Sequence, residues 1–243
     1  MVAIPRFYSP YSLADAVQIE LETNAARHAA KVLRLRRGDQ IVLFDGTGGE
    51  YEASIHAVER SHVLVDVGKF QPIDREPALS VCLAQGLASG DKMDTILQKA
   101  VELGVTDFQP LSTRKSVVRL TEERAERRLL HWRQVAIAAC EQCGRNRIPN
   151  LFDVEEIGEW VMRETTGARF VLAPNGTKAL ADLTDPPDRV TLLVGPEGGF
   201  ADEELKLTLE AGYTPVRLGP RILRTETAGM AALAAIQTLW GDF

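Results

Sequence analysis

The first part of the chain contains short apolar runs that are separated by turn signals. Residues 41–44, 51–58 and 63–67 read as strands, and the sequences DGTGGE and ERSH between them are rich in turn-forming residues. Short strands joined by tight turns are typical of a small antiparallel barrel or sheet. Before them, AARHAAKVLRLRRGDQ has the pattern of a short basic helix that ends at Gly38.

The pattern changes after the sequence QPIDREP, which is the best candidate for a linker because of Pro72 and Pro77. Apolar strands then alternate with helices. The strands are LSVCLAQGL, DFQPL, ARFVLAP, RVTLLVG and PVRLG, and the helices are DKMDTILQKAVELG, TEERAERRLLHWRQVAIAACEQCG, DEELKLTLEAG and TETAGMAALAAIQTLW. We therefore expect domains at residues 1–72 and 77–243, the second an α/β domain with a largely parallel sheet.

Composition and cysteine usage limit the class of protein. The chain has 243 residues, and 45% of them are hydrophobic, which is enough for a buried core. No apolar run approaches the roughly 18 residues of a membrane span, and MVAIPRFYSPYS lacks the layout of a signal peptide. We therefore expect a cytoplasmic protein with no membrane partner. Cys140 and Cys143 have a C-x-x-C spacing, but no second pair or histidine spacing completes a zinc site, so we expect no metal.

The chain has a formal net charge of -6, and its charged residues are unevenly distributed along the sequence. Basic residues cluster between Arg27 and Arg37 and again between Arg114 and Arg133, whereas acidic residues concentrate elsewhere, as at residues 202–204. A solvated helix face is the ordinary interpretation of such runs, and contact with nucleic acid is the alternative.

Three turns follow strands of the second domain: APNGT, GPEGGF and LGPRILRTETA. In a parallel sheet, ligands bind in the crevice outside the carboxyl ends of the strands. GPEGGF has neither the lysine nor the hydroxyl of a phosphate-binding P-loop, and the acidic residues 202–204 that open the next helix would repel an anion. A nucleoside without phosphates, including a cationic one, fits this loop better, and a plain strand-to-helix turn is the alternative.

Two of these sequences carry a resemblance to a known enzyme class. LLVGPEGGFADEEL and LGPRILRTETAGMAALAAIQ together resemble the signature of the SPOUT class of S-adenosylmethionine-dependent RNA methyltransferases. The chain is most similar to the ribosomal RNA small subunit methyltransferase E family, which methylates N3 of a uridine in 16S rRNA. HAAKVLRLRRGDQIVLFDGTGGEYEASI, QKAVELGV and EQCGRNRIP extend this resemblance over nearly the whole chain.

The resemblance implies a fold, a cofactor and partners. The fold is an N-terminal PUA-like β-barrel followed by a C-terminal SPOUT α/β domain with a trefoil knot. The partners are 16S rRNA or the small ribosomal subunit and a second copy of the chain, because homodimerisation completes the site in this family. The cofactor is S-adenosyl-L-methionine, held between loops that correspond by motif to residues 172–174, 194–199 and 218–225.

The cofactor-binding residues implied by the resemblance are Leu172, Ala173, Pro174, Val194, Gly195, Pro196, Glu197, Gly198, Gly199, Leu218, Gly219, Ile222, Leu223 and Thr225. Among them, Leu218, Ile222 and Leu223 are suited to an apolar slot for the adenine. The glycines let backbone groups approach a ligand closely. Thr225 has an alternative role as the cap of the last helix.

Three side chains near that site are candidates for the methyl-transfer chemistry. Uridine N3 carries a proton that it must lose before it becomes nucleophilic, and Glu197 and Glu226 are the carboxylates nearest the implied cofactor. Arg224 is suited instead to stabilising charge on the uracil oxygens or to gripping a phosphate. Glu197 has the alternative role of bracing its loop by accepting backbone N–H groups.

Basic residues are candidates for phosphate contacts with RNA. The candidates are Arg6, Arg34, Arg36, Arg114, Lys115 and, from the EQCGR sequence, Arg145. Two other functions stay open: another SPOUT methylation, such as ribose 2′-O-methylation, and a non-catalytic RNA-binding or assembly protein. Binding of S-adenosylmethionine distinguishes the last of these from the enzymes.

Overall fold

The structure is a computed structural model that describes residues 4–60, 62–163, 166–182 and 186–243. The chain divides into two compact units, Met1–Glu76 with Cys140–Ile148 and Pro77–Ala139 with Pro149–Phe243. The segment Cys140–Ile148 lies inside the range predicted for the second domain. It belongs instead to the first unit, because its polar side chains bond there.

The first unit is built on a mixed β-sheet. Its described strands are β1 (Arg6–Tyr8), β2 (Gln18–Glu20), β3 (Gln40–Phe44), β4 (Glu50–Glu59) and β5 (His62–Gln71). Their order is β1-β3-β4-β5-β2, with β3, β4 and β5 in an antiparallel meander and β1 parallel to β3. This meander confirms the strands predicted from the apolar runs. The basic helix, α1 (Thr23–Arg27), continues as a π-helical turn at His28–Val32 and so ends before its predicted limit at Gly38.

Alternate residues of the meander form the core of the first unit. Ile41 and Leu43 of β3, Ile55 of β4, and Val63 and Val65 of β5 are at most 2% exposed. Successive side chains of a strand point to opposite faces, so a period of two places this apolar set on one face. The other face carries polar side chains such as Glu52 and Ser54 together with the partly buried Val42 and Leu64.

A buried polar network surrounds the Glu50 carboxylate in the first unit. Glu50 accepts hydrogen bonds from Arg6 (2.5 Å), Arg75 (3.0 Å) and Asn146 (3.1 Å), and its side chain is 9% exposed. Burial acts to raise the pKa of Glu50, but the bonds from these donors outweigh it and lower the pKa below its ordinary value. The carboxylate is therefore ionised and bonded at neutral pH.

Two arginines predicted to bind RNA are part of the first unit's buried structure, which favours a structural role for them. The Arg6 side chain is 11% exposed and donates to Glu50 and Asn146. The Arg145 side chain is 5% exposed and pairs with Glu76 at 2.5 Å. Since both guanidinium groups are desolvated and already bonded to carboxylates, they stabilise the unit and do not present charge to a ligand.

The second unit has alternating strands and helices. Its described strands are β6 (Ser80–Gly86), β7 (Asp107–Ser112), β8 (Asn150–Leu151), β9 (Glu155–Glu156), β10 (Ala168–Leu172), β11 (Lys178–Ala179), β12 (Arg189–Val194) and β13 (Thr214–Arg217). Its helices are α2 (Lys92–Glu102), α3 (Glu122–Cys143, whose last residues belong to the first unit), α4 (Ile157–Trp160), α5 (Asp202–Glu210) and α6 (Thr225–Trp240). A 3₁₀ turn occupies Leu180–Asp182.

The sheet of the second unit places several strand ends side by side. The described strands pair in parallel in the order β11-β13-β10-β12-β6-β7-β8, and β9 pairs with the end of β7. The central strands are buried without alternation: the consecutive residues Leu83 and Ala84 of β6, and Leu192 and Leu193 of β12, are 0% exposed. The prediction of an α/β domain with a parallel sheet is confirmed. The carboxyl ends of β6, β12, β10 and β13 therefore lie next to one another at one edge.

Among the described residues, no helix has both the length and the hydrophobicity that a membrane span requires. In the same part of the chain, no three His, Cys, Asp or Glu side chains are grouped closely enough to hold a metal ion.

The network around Glu50 leads to a prediction about stability. Glu50→Ala leaves the buried Arg6 guanidinium without its carboxylate, so we expect the free energy of unfolding to fall by about 3–5 kcal/mol. The pKa of Glu50 is lower in the folded protein than in the unfolded chain. Its contribution to stability is therefore fully present when the pH is above the pKa of the unfolded chain, and it is lost as the pH falls through the pKa of the folded protein. Urea unfolding at pH 7 and pH 3 measures both effects.

Glu52→Ala is the matched control for this stability test, because Glu52 is an exposed neighbour on the same strand. We expect that change to cost less than about 0.5 kcal/mol. Equal effects of the two substitutions would contradict the account.

Candidate active site

One cavity of the second unit collects the turns predicted to bind a ligand. It lies at the carboxyl ends of β10, β12 and β13 and has a volume of about 580 Å³. Every residue predicted to bind the cofactor lines it, namely Leu172, Ala173, Pro174, Val194, Gly195, Pro196, Glu197, Gly198, Gly199, Leu218, Gly219, Ile222, Leu223 and Thr225. Arg224 and Glu226 line it as well. The structure thus brings the predicted residues together, and their individual roles stay predictions.

The loop after β12 approaches the end of β6 too closely for a side chain at Gly86. A Cβ atom at Gly86 would lie 2.6 Å from Cδ and 2.7 Å from the backbone nitrogen of Pro196, closer than nonbonded carbon atoms pack. In the same loop Gly199 has a φ of +66°, in the left-handed region that favours glycine. The glycines of this loop and its neighbour therefore allow backbone to pack on backbone beside the cavity.

Buried hydrogen bonds join three separate segments at the base of this loop. The Thr225 hydroxyl donates to the carbonyl oxygen of Gly195 at 2.6 Å and accepts from Nε2 of Gln85 at 2.9 Å. Gln85 is 0% exposed and Thr225 is 6% exposed. Because the three residues come from β6, the loop after β12 and the start of α6, these bonds fix those elements relative to one another. Thr225 therefore joins two loops in addition to opening its helix.

Glu197 braces its loop against the segment after β6. Its Oε1 atom accepts hydrogen bonds from the Ser89 backbone N–H (2.9 Å), the Ser89 hydroxyl (2.6 Å) and Nζ of Lys92 (2.8 Å). Partial burial acts to raise the pKa of Glu197, but the bonds from Lys92 and Ser89 outweigh it and lower the pKa to about 2. A carboxylate with so low a pKa is a weak proton acceptor. Of the two roles predicted for Glu197, this geometry favours the brace over the base.

Glu226 and Arg224 differ from Glu197 because they have free polar atoms beside the cavity. The Oε2 atom of Glu226 is buried and has no hydrogen-bond partner in the described part of the chain. Arg224 is exposed, and no described residue forms an ion pair or hydrogen bond with its side chain. A buried, unpaired carboxylate oxygen is costly unless a ligand satisfies it. These two side chains are therefore available to a bound molecule.

The remaining predicted RNA contacts lie at two places. Arg34 and Arg36 are exposed in the first unit. Arg114 and Lys115 are exposed in the second unit, in the segment that follows β7. A Cβ atom built at Gly198 would lie 3.0 Å from the Cβ of Lys115, so this segment packs against the loop after β12.

The carboxylate of Glu204, in the first turn of α5, also holds the segment that contains Arg114. It accepts the backbone N–H of Arg114 at 2.7 Å and that of Ala201 at 2.8 Å. The Arg114 side chain pairs with Glu203 at 3.2 Å, and both of these groups are largely exposed. Exposed pairs of this kind contribute little to stability. The Arg114 guanidinium can therefore exchange this partner for a ligand at small cost.

Strand β6 contributes residues to this site that were not predicted from the sequence. Gln85, Gly86, Ser89 and Lys92 all lie at or after the end of that strand, and none was predicted to take part. A signal was present, because the turn LASGDK follows the apolar strand SVCLAQG as the other three turns follow theirs. The rule that locates ligands at strand ends applies equally to this fourth turn.

Comparison with protein families gives two matches. Residues 21–68 match a family described as an RNA methyltransferase PUA domain. Residues 75–237 match a family described as an RNA methyltransferase domain. The first match covers most of the sheet of the first unit, and the second contains every residue that lines the cavity.

Relatives of known sequence or structure match nearly the whole chain. A "ribosomal RNA small subunit methyltransferase E" of Buchnera aphidicola is 33% identical over 98% of both chains. A solved methyltransferase from Legionella pneumophila, in complex with the bound cofactor SAM, has a TM-score of 0.96 and 38% identity and covers 100% of both chains. A solved ribosomal RNA small subunit methyltransferase E from Neisseria gonorrhoeae, bound to S-adenosyl methionine, has a TM-score of 0.91 and 39% identity and covers 99% of this chain and 100% of that one.

The brace at Glu197 gives a prediction about ligand binding. Ser89→Ala removes one of its donors, so we expect the affinity for S-adenosylmethionine to fall about tenfold, which corresponds to the lower end of the range for a hydrogen bond to a charged group. The pKa of Glu197 is lowered from its ordinary value of 4.5 to about 2. The brace is therefore complete when the pH is above 4.5, and it weakens as the pH falls toward 2. Calorimetric titration from pH 5 to pH 8 should therefore show no titration of this group.

Thr95→Ala is the control for the Ser89 substitution, because its hydroxyl bonds to the backbone of α2 and does not line the cavity. An affinity unchanged by Ser89→Ala, or equally reduced by both substitutions, would contradict the role of the brace.

Proposed function

This chain belongs to the ribosomal RNA small subunit methyltransferase E family, and on that premise we propose that it transfers a methyl group from S-adenosylmethionine to N3 of a uridine in 16S rRNA. The observation that carries the proposal is the convergence of all the motif residues on one cavity. Relatives bound to S-adenosylmethionine, with TM-scores of 0.96 and 0.91, support the choice of cofactor.

The residues of the cavity fit S-adenosylmethionine. Leu172, Val194 and Leu218 provide apolar surface for an adenine, and the backbone groups around Gly195 provide hydrogen bonds. The Oε2 atom of Glu226 is buried beside the cavity and has no partner among the described residues, so a bound molecule can satisfy it. When bound, this cofactor supplies an electrophilic methyl group for an in-line displacement, so that positioning accounts for much of the rate.

Glu226 takes the proton from uridine N3 in this proposal. The nitrogen becomes nucleophilic when that proton is lost, so the site needs an acceptor that is not already engaged. Glu197 is bonded to Ser89 and Lys92, whereas Oε2 of Glu226 has no described partner. The proton therefore moves to Oε2 of Glu226 and the negative charge moves onto the uracil ring.

Arg224 stabilises that charge. Loss of the N3 proton spreads negative charge over the two uracil oxygens, and a guanidinium group can donate to either of them. Arg224 lines the same cavity two residues before Glu226 and has no described partner that would compete. Its exposure at the rim is consistent with a substrate that enters from solvent.

The rRNA is held by basic residues outside the cavity. Arg34 and Arg36 are exposed in the PUA-like unit, and Arg114 and Lys115 are exposed beside the cofactor loop. We further propose, from the family resemblance, that the protein acts in the cytoplasm as a homodimer and that its C-terminal segment passes through a trefoil knot. Small residues of α6 suit close packing of that segment: a Cβ atom built at Gly229 would lie 3.7 Å from the Gln85 side chain and 4.0 Å from that of Leu83.

Nucleoside mass spectrometry of 16S rRNA tests the proposed reaction. In a strain that lacks the protein, we expect 3-methyluridine to be absent from 16S rRNA and to return when the wild-type chain is supplied. Return of a ribose-methylated nucleoside would instead favour 2′-O-methylation. No modified nucleoside, together with S-adenosylmethionine binding that cannot be detected, would favour a non-catalytic RNA-binding protein.

Glu226→Gln tests the proposed base. General-base catalysis contributes about 10²- to 10⁴-fold, so we expect kcat to fall by at least about 100-fold while the affinity for S-adenosylmethionine stays within about twofold. Glu203→Gln is the matched control, because Glu203 is exposed and does not line the cavity. A Glu226→Gln enzyme with normal kcat would contradict the assignment.

Charge reversal in the first unit tests the binding of rRNA by Arg34 and Arg36. Arg34→Glu combined with Arg36→Glu should weaken RNA binding and lower the slope of log K against log salt by about 0.7–0.9 for each phosphate that is no longer neutralised. The pair Arg163→Glu and Lys206→Glu changes the net charge equally at exposed positions outside the cavity. Identical salt slopes for the two double variants would contradict a specific role of Arg34 and Arg36.

A further inference from the structure

A second cavity adjoins the cofactor cavity on the side of β11 and β13. Its volume is about 420 Å³, within the range of about 300–1,000 Å³ that is typical of ligand sites. It shares Pro174, Arg217, Gly219, Arg221 and Ile222 with the first cavity. A molecule that occupied both cavities would therefore pass along these shared residues.

The charge of the second cavity is positive. Among the described residues that line it, the ionisable ones are Arg217 and Arg221, and there is no carboxylate. Arg217 donates to the carbonyl oxygen of Gly176 at 3.0 Å, which orients its guanidinium group without neutralising it. Arg221 is exposed and forms no ion pair or hydrogen bond with any described residue. Two guanidinium groups with no carboxylate in the described lining of the same cavity favour an anion, and a phosphate is one that a guanidinium group can bind with two hydrogen bonds.

Ile222 provides an apolar surface between the two cavities. Ile222 was predicted to help form the adenine slot, but it is 83% exposed and lines both cavities, so it is open to a second molecule. An apolar surface next to free guanidinium groups matches a nucleotide, which has an apolar base or ribose face beside an anionic phosphate. Neither feature alone would identify the ligand, but together they point to a nucleic-acid backbone with a base attached.

We propose that the second cavity binds the RNA nucleotide next to the target uridine, with its phosphate on Arg221 and its base or ribose against Ile222. This inference rests on the proposed function, because it assigns a binding place to the RNA strand whose target uridine enters the cofactor cavity. Arg221 thereby positions the uridine before Glu226 and Arg224 and takes no part in the proton transfer itself. Arg217 adds a second positive charge at the same place.

The carboxylate of S-adenosylmethionine is the other anion that could reach Arg221. That carboxylate is attached to the same carbon atom as an ammonium group, and a cavity with two guanidinium groups and no described carboxylate would leave the ammonium group facing like charge. A phosphodiester has no such cation. The charge pattern therefore favours the RNA backbone.

Arg221→Gln in the full-length protein separates these possibilities. We expect the KM for small ribosomal subunits that lack the modification to rise about tenfold or more, with kcat and the Kd for S-adenosylmethionine within about twofold of wild type. Anisotropy of a fluorescent single-stranded oligouridylate should show a salt slope lowered by about 0.7, the value for one neutralised phosphate. Arg221→Lys should recover part of the affinity, because lysine binds phosphate as a point charge.

Arg163→Gln is the control, because Arg163 pairs with Glu155 and lines neither cavity. A rise in the Kd for S-adenosylmethionine with no change in oligouridylate binding would overturn the proposal in favour of the cofactor carboxylate. No change in either Kd would also overturn it. Oligouridylate binding needs no turnover, so this measurement tests the second cavity whether or not the protein is active. Failure of the wild-type protein to form 3-methyluridine would count against the proposed function and not against this inference.

Discussion

The buried hydrogen bonds between Gln85, Thr225 and Gly195 are the interaction on which the site depends most. The end of β6, the loop after β12 and the start of α6 are far apart in the sequence, and each exposes backbone groups where its regular structure stops. One threonine hydroxyl, 6% exposed, satisfies a carbonyl oxygen at 2.6 Å and accepts from a buried amide at 2.9 Å. Both the threonine hydroxyl and the glutamine amide are desolvated, so loss of either one would leave a buried polar group unpaired. These bonds therefore favour one arrangement of the three segments over others.

The acidic residues around the cavity have distinct roles, which follow from their hydrogen-bond partners. Glu197 joins its loop to Ser89 and Lys92, and Glu204 holds the segment of Arg114 through two backbone N–H groups. Both carboxylates have their charge satisfied by the protein itself. Glu226 keeps a buried oxygen without a described partner, so its charge is available to the ligands. The carboxylates of the loop after β12 and of the first turn of α5 therefore hold neighbouring segments in place.

The sequence was sufficient to predict which turns line the cavity but not how those turns are bonded to one another. The apolar, non-alternating run of β12 and the glycine-rich turn after it placed a ligand at the strand ends, because parallel strands end at one edge. The brace between Glu197 and Ser89 joins residues that are 108 positions apart, and no local pattern reports such a pair. Arg6 and Arg145 show the same limit. Each was predicted to bind RNA, yet their carboxylate partners, Glu50 and Glu76, are 44 and 69 positions away.

The most direct test of the account is the affinity of Thr225→Val for S-adenosylmethionine, measured by calorimetry beside wild type and Thr225→Ser. Valine keeps the shape of threonine but removes the hydroxyl that joins Gly195 to Gln85, whereas serine retains it. The account predicts that the valine variant binds about tenfold more weakly, with an unchanged circular dichroism spectrum, and that the serine variant recovers most of the affinity. Wild-type affinity in Thr225→Val would contradict the claim that these bonds hold the cofactor loops together.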